Sequence, residues 1–154
     1  MIVVGVVGRS GAGKTTLVER LVPALAESVR VGTVKSIHHA VELDDPGTDT
    51  YRHRIAGATR VVGVTPSLTA SFRPVGKDDG GEGAALARAL EEFADDVDVV
   101  LVEGFGDSGL PTIVVGDAGT DPGADDVLAT VSSPDEADVQ ALVERILALP
   151  DTDH

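Results

Sequence analysis

The sequence predicts an α/β fold of three layers built on a mainly parallel sheet. Short aliphatic runs recur at 2–7, 99–102 and 111–115, the pattern of strands buried on both faces. Segments with apolar residues at helical spacing alternate with these runs, which is the order a parallel sheet needs for its crossovers. Hydrophobic residues make up 42% of the chain but aromatics only 3%, so the core must be Val, Leu, Ile and Ala.

Each element follows from its own residues. The first strand is 2–7. A helix over about 14–27 carries Leu17, Val18, Leu21, Val22 and Leu25 on one face, with Pro23 inside it as an expected kink. A second strand spans 29–34. The polar stretch 35–48 holds the turn Asp45-Pro46-Gly47, and 49–58 reads as a short helix. Residues 60–65 and 68–75 read as strands around Pro66. Residues 76–83 form a Gly/Asp-rich loop, and 84–93 a helix with Leu86, Leu90 and Phe93. Strands follow at 97–103, 111–115 and 127–132, with a loop over 116–126. Ser133-Pro134-Asp135-Glu136 has capping-box spacing with Pro at the first helical position. The helix it opens should bury Val139, Leu142, Val143, Ile146 and Leu149. The chain shows no internal repeat, and one domain is expected over 1–150 with a short tail at 151–154.

Charge separates the two halves of the chain. Residues 1–88 hold 11 Lys and Arg against 9 Asp and Glu, a net of +2; residues 89–154 hold 1 against 17, a net of −16, and the two give the total of −14. The second half would repel a nucleic-acid backbone, so phosphate chemistry belongs in the first. The acidic excess suits a halophilic, high-salt cytoplasm, or a solubility-tuned acidic protein. With no Cys, disulfides and thiolate metal sites are excluded. No apolar stretch is long enough to cross a membrane, and the chain opens on a strand without signal-peptide features. A cytoplasmic protein is expected.

Gly8-Arg9-Ser10-Gly11-Ala12-Gly13-Lys14-Thr15 fits G-x-x-x-x-G-K-[ST] without a mismatch. Placed between an aliphatic strand and an amphipathic helix, it predicts a P-loop NTPase fold. Its glycines let backbone N–H groups point at phosphate oxygens, Lys14 meets the β- and γ-phosphates, Thr15 offers a hydroxyl to Mg²⁺, and the helix start through Thr16 adds its dipole. Such a site needs an acid at a neighbouring strand end to hold the metal or its water. Glu103, at the end of Val99–Glu103 and before Gly104, supplies it. The catalytic expectation is Lys14, Glu103 and Asp49. Asp49 would either cap the short helix or orient a phosphate-bound water. Lys35, His38, His39, Arg52 and Arg54 gather positive charge in 35–58; Arg54 and Arg52 suit bidentate phosphate contacts. His38, His39 and His53 are read as phosphate or solvent contacts, with a metal as the other possibility. No Asn-Lys-x-Asp run reads guanine, so local motifs leave the base open.

Three stretches together resemble the molybdopterin-guanine dinucleotide biosynthesis protein B (MobB) family: the phosphate loop; His38-His39 through Asp44-x-Pro46-Gly47-x-Asp49-x-Tyr51-x-x-Arg54-x-Ala56-Gly57-Ala58; and Val100-Leu101-Val102-Glu103-Gly104-Phe105. The likeness covers residues 1–105 and is weak beyond them. The chain departs from the family pattern at Ser36, Ala40, Asp45, Thr48, Thr112 and Gly116, several of them lost cations. The resemblance implies a dimeric GTP-binding accessory protein, with slow Mg²⁺-dependent hydrolysis, for attaching GMP to the molybdenum cofactor beside a MobA-type guanylyltransferase. Two other classes fit a phosphate loop. A small-molecule kinase would want an arginine-bearing lid, and 76–83 is poor in Arg. A metallochaperone-type GTPase would want a His-rich or Cys-containing tract.

Overall fold

The aliphatic runs assemble into one parallel sheet, seen in a computed structural model that describes residues 1–93, 96–116 and 126–152. The elements are β1 (Ile2–Val7), α1 (Lys14–Ala26), β2 (Val31–Lys35), α2 (Asp49–Ile55), β3 (Val61–Val64), β4 (Thr69–Phe72), α3 (Gly81–Glu91), β5 (Val99–Glu103), β6 (Thr112–Val115), β7 (Val127–Val131) and α4 (Val139–Leu147). They fall into two compact units. The first comprises Met1–Ser36 and Glu82–His154, and the second is Ile37–Gly81.

In the first unit the strand order is β2-β5-β1-β6-β7, and every pairing is parallel. Alternate residues serve opposite faces, as strand periodicity requires. Val4, Val6, Leu101 and Ile113 pack with Leu17, Leu21 and Leu25 of α1 and with Leu142, Val143 and Ile146 of α4. Val3, Val100 and Val102 pack with Leu86 and Leu90 of α3, joined by Phe105 and Leu110. Helices on both faces make the expected three layers. Burying each Leu or Val contributes about 1.5–3 kcal/mol. The register sets Glu103 beside Val6 and beside Lys35, so three strand ends meet at the C-terminal edge.

The second unit holds α2 and an antiparallel hairpin, with Val61 opposite Phe72 and Val64 opposite Thr69. Its turn at Pro66 is closed by Thr65 N–H donating to Leu68 C=O at 2.8 Å.

Several boundaries differ from the sequence expectation. β2 starts at Val31, because the N–H groups of Ser28 and Val29 donate back to Leu25 C=O and prolong the end of α1. It runs on to Lys35, taking in the first residue of the expected loop. α1 is continuous through Pro23. α3 starts at Gly81, inside the expected loop, where Gly81 N–H donates to Lys77 C=O at 2.8 Å. Ser133 makes no capping bond. Pro134–Glu136 form one 3₁₀ turn, and α4 begins three residues later, capped by Asp138 accepting from Ala141 N–H at 3.1 Å. Arg20 explains the detour: its guanidinium donates to Pro134 C=O and to Ala137 C=O, holding the turn against α1. Leu142, Val143 and Ile146 are buried as expected, whereas Val139 and Leu149 are half-buried. Most of the expected loop, 117–125, and the end of the tail, 153–154, lie outside the described residues. Among the described residues no helix is long and apolar enough to cross a membrane.

Candidate nucleotide and metal site

The chain leaves β1 at Val7 and curls through residues 8–13 into α1. Three glycines with positive φ, Gly8, Gly11 (φ 77) and Gly13, permit the curl. A Cβ on Gly8 (φ 150) would stand 2.2 Å from the Val115 carbonyl oxygen, and one on Gly13 (φ 93) would stand 2.5 Å from the Pro134 ring; both the backbone conformation and the close approach demand glycine. Gly13 is also the N-cap of α1. No side chain caps that end and its first turn holds no acid, so the partial positive charge of the helix start has no side-chain counterweight there.

Lys14 Nζ donates to the carbonyls of Gly8 and Arg9, both at 2.7 Å. Burial holds its pKa below the ordinary lysine value, the Glu103 charge opposes that, and Lys35 adds to the lowering. Glu103 is the last residue of a fully buried strand and is itself only 6% exposed. The Thr15 hydroxyl sits 3.0 Å from its Oε1 and 3.1 Å from its Oε2. The Lys35 ammonium pairs with Oε1. Lys14, Thr15, Lys35 and Glu103 therefore come together at one edge of the sheet. A hydroxyl and a carboxylate side by side suit Mg²⁺, which takes one or two protein oxygens and completes its shell with waters and phosphate oxygens. Among the described residues no group of three His, Asp or Glu side chains forms a dedicated metal cage.

Asp98 lies at the opposite edge of the sheet, as its place before β5 predicts. It pairs with Arg30 at 2.7 Å, which pulls its carboxyl down to about 2. A cavity of about 330 Å³ lies between β7 and α4, lined by Ser132, Ser133, Glu136, Asp138 and Arg145 among others.

The remaining expected site residues belong to the second unit. His38 and His39 are exposed and lie outside any helix or strand. Asp49 is not the helix cap: Thr48 caps α2, accepting from Tyr51 N–H at 3.2 Å, and Asp49 is the first helical residue, 3.6 Å from Arg52. Thr48 has the extended backbone of a cap position (φ −65, ψ 160), whereas Asp49 is already helical. Arg54 is 17% exposed, lies over the Tyr51 ring at 5.2 Å and is 2.7 Å from Glu42. The two side chains form an ion pair. The Arg54 guanidinium holds the Glu42 carboxyl below its usual range, and Glu42 raises Arg54 in turn.

Two features escaped the sequence reading. Asp44 is buried and its Oδ1 accepts from the hydroxyls of Thr48 (3.2 Å) and Thr50 (3.1 Å); the Asp44-x-x-x-Thr48-x-Thr50 spacing was the available signal. Phe105, directly after the Glu103-Gly104 turn, adopts φ 57 while buried in the core, a backbone state uncommon for a bulky residue.

Loop, sheet order and edge carboxylate define a P-loop α/β protein. The family described as "Molybdopterin guanine dinucleotide synthesis protein B" matches residues 3–134, and the chain belongs to it. A molybdopterin-guanine dinucleotide biosynthesis adapter protein of Haemophilus influenzae is 35% identical over 116 residues, 72% of this chain and 61% of that protein. Its counterpart in Escherichia coli is 35% identical over 107 residues, 69% and 60% of the two chains. The chain thus spans about three fifths of the length of these curated relatives. A crystal structure of a molybdopterin-guanine biosynthesis protein B superposes with a TM-score of 0.71 at 30% identity, covering 96% of this chain and 99% of that one. A MobB protein homolog from Bacillus stearothermophilus gives 0.65 at 26%, covering 97% and 100%.

Proposed function

We propose that this chain binds GTP with Mg²⁺ and serves as an accessory protein in molybdenum cofactor guanylylation, as a homodimer beside a MobA-type guanylyltransferase. The observation that carries the nucleotide reading is the meeting of Thr15 and Glu103 at the head of the phosphate loop. Backbone N–H groups of Gly8, Ser10, Gly11, Ala12 and Gly13, with Lys14, Thr15 and Thr16, would cradle the phosphates. Lys14 would exchange the Gly8 and Arg9 carbonyls for phosphate oxygens. Thr15 and Glu103 would hold the metal and its water. Bound there, Mg²⁺ supplies charge neutralisation of the phosphate oxygens. His38, His39 and Arg54, with Asp49, form the proposed second-ligand region of the second unit, although Arg54 is already engaged by Glu42; Lys35 would act beside Glu103 in the first unit. The relatives' designation as adapter proteins supports a role in which binding matters more than turnover, and hydrolysis is accordingly proposed to be slow.

Titration of a fluorescent GTP analogue into the Lys14→Ala variant tests the reading. A charge-assisted contact of about 1.5–3 kcal/mol predicts roughly a 10- to 150-fold weaker complex. Unchanged affinity in a variant whose circular dichroism is native would sink it.

A further inference from the structure

Glu103 holds two partners at once, and they differ in freedom. Thr15 belongs to the first turn of α1 and is fixed by the helix. Lys35 has a backbone pinned by its register with Glu103, but its side chain is 51% exposed against 7% for the carboxylate. A carboxylate so buried demands a counter-charge, because an uncompensated buried ion is strongly unfavourable. Lys14 is anchored on two loop carbonyls, so Lys35 supplies that charge. A compact ammonium on a flexible four-carbon stem is also the kind of group that can leave.

We propose that Lys35 is the resident counter-ion of Glu103 and gives the carboxylate up to a divalent cation, so that metal binding and release of the Lys35 ammonium are one coupled event. The inference rests on the reading of Glu103 as the metal-side carboxylate and adds a residue that opposes the metal. Without an anion nearby, release leaves the Lys35 charge with no partner, and the pair resists the metal. With phosphate oxygens on the adjacent loop, the freed ammonium gains a new partner. Lys35 would thus make the site favour metal and polyphosphate together over metal alone, a reciprocal coupling between two ligands.

The test is Mn²⁺ binding to the full chain, followed by electron paramagnetic resonance, first without nucleotide. Lys35→Met should bind one Mn²⁺ about tenfold more tightly than the unaltered protein, a typical coupling. Lys35→Arg, which keeps the charge, should stay near the unaltered value. Adding Glu103→Gln to Lys35→Met should abolish the gain. With a GDP analogue present, the unaltered protein should gain more Mn²⁺ affinity than Lys35→Met does. Should Lys35→Met fold poorly, Lys35→Gln carries the same expectation. Equal or weaker Mn²⁺ binding by the neutral variants overturns the proposal, as does a gain that survives Glu103→Gln. Failure of GTP binding with a normal Mn²⁺ response would instead remove the nucleotide reading and leave Lys35 where it is.

Discussion

The two units are held together by different physics. In the first, buried aliphatic side chains from both faces of a parallel sheet dominate. In the second, Val61 is the one buried apolar side chain among the described residues, while Val41, Leu43, Ile55, Val62, Val64 and Leu68 stand exposed. Its order comes from polar contacts close in sequence: Asp44 with Thr48 and Thr50, Thr48 with the start of α2, Arg54 with Glu42 and Tyr51. The difference separates tasks. A close-packed sheet is stiff and fixes the backbone positions from which Thr15, Lys35 and Glu103 project. A region with few buried apolar contacts opens locally at low cost.

The largest expected effect strikes the sheet. Leu101 is fully buried in β5, between β2 and β1. Leu101→Ala should cost about 2–5 kcal/mol in urea unfolding, through lost transfer energy and a residual cavity. A loss below about 1 kcal/mol would show that the sheet is not the stabilising element. A smaller, local effect is expected in the second unit. Asp44→Ala removes the acceptor for two hydroxyls and should cost about 1–3 kcal/mol. Amide hydrogen exchange should speed up in α2 and stay unchanged in β1 and β5; uniform acceleration would dissolve the contrast between the units. The smallest effect concerns the far edge of the first unit. Asp98 is held at about 2, below its ordinary 3.8. Its contribution to stability is therefore complete above that ordinary value and is lost as pH falls towards about 2. Asp98→Asn should be slightly less stable than the unaltered protein at neutral pH and match it near pH 2. Because Asp98 is exposed, added salt should shrink the difference. A difference that persists at pH 2 would mean that packing, rather than charge, is being read.

Much of the first unit was legible in the residues because its signals are local. An aliphatic run, a glycine-rich turn and an amphipathic helix follow one another within 26 residues, and each is set by neighbours a few positions away. Glu103 was legible for the same reason: it ends a run of four buried aliphatics. Signals of comparable strength competed elsewhere, and tertiary contacts chose among them. Ser133 carried the expected capping spacing, but with Arg20 bound to the Pro134 and Ala137 carbonyls the helix starts at Val139, capped by Asp138. Thr48 and Asp49 competed likewise at α2, where the hydroxyl took the Tyr51 N–H. The pairing of Lys35 with Glu103 was beyond local reading altogether. The two residues are 68 positions apart, and they meet only because β5 lies between β2 and β1. Strand order follows from how the two faces of the sheet are covered by helices, a property of the packed whole that no short stretch of chain carries.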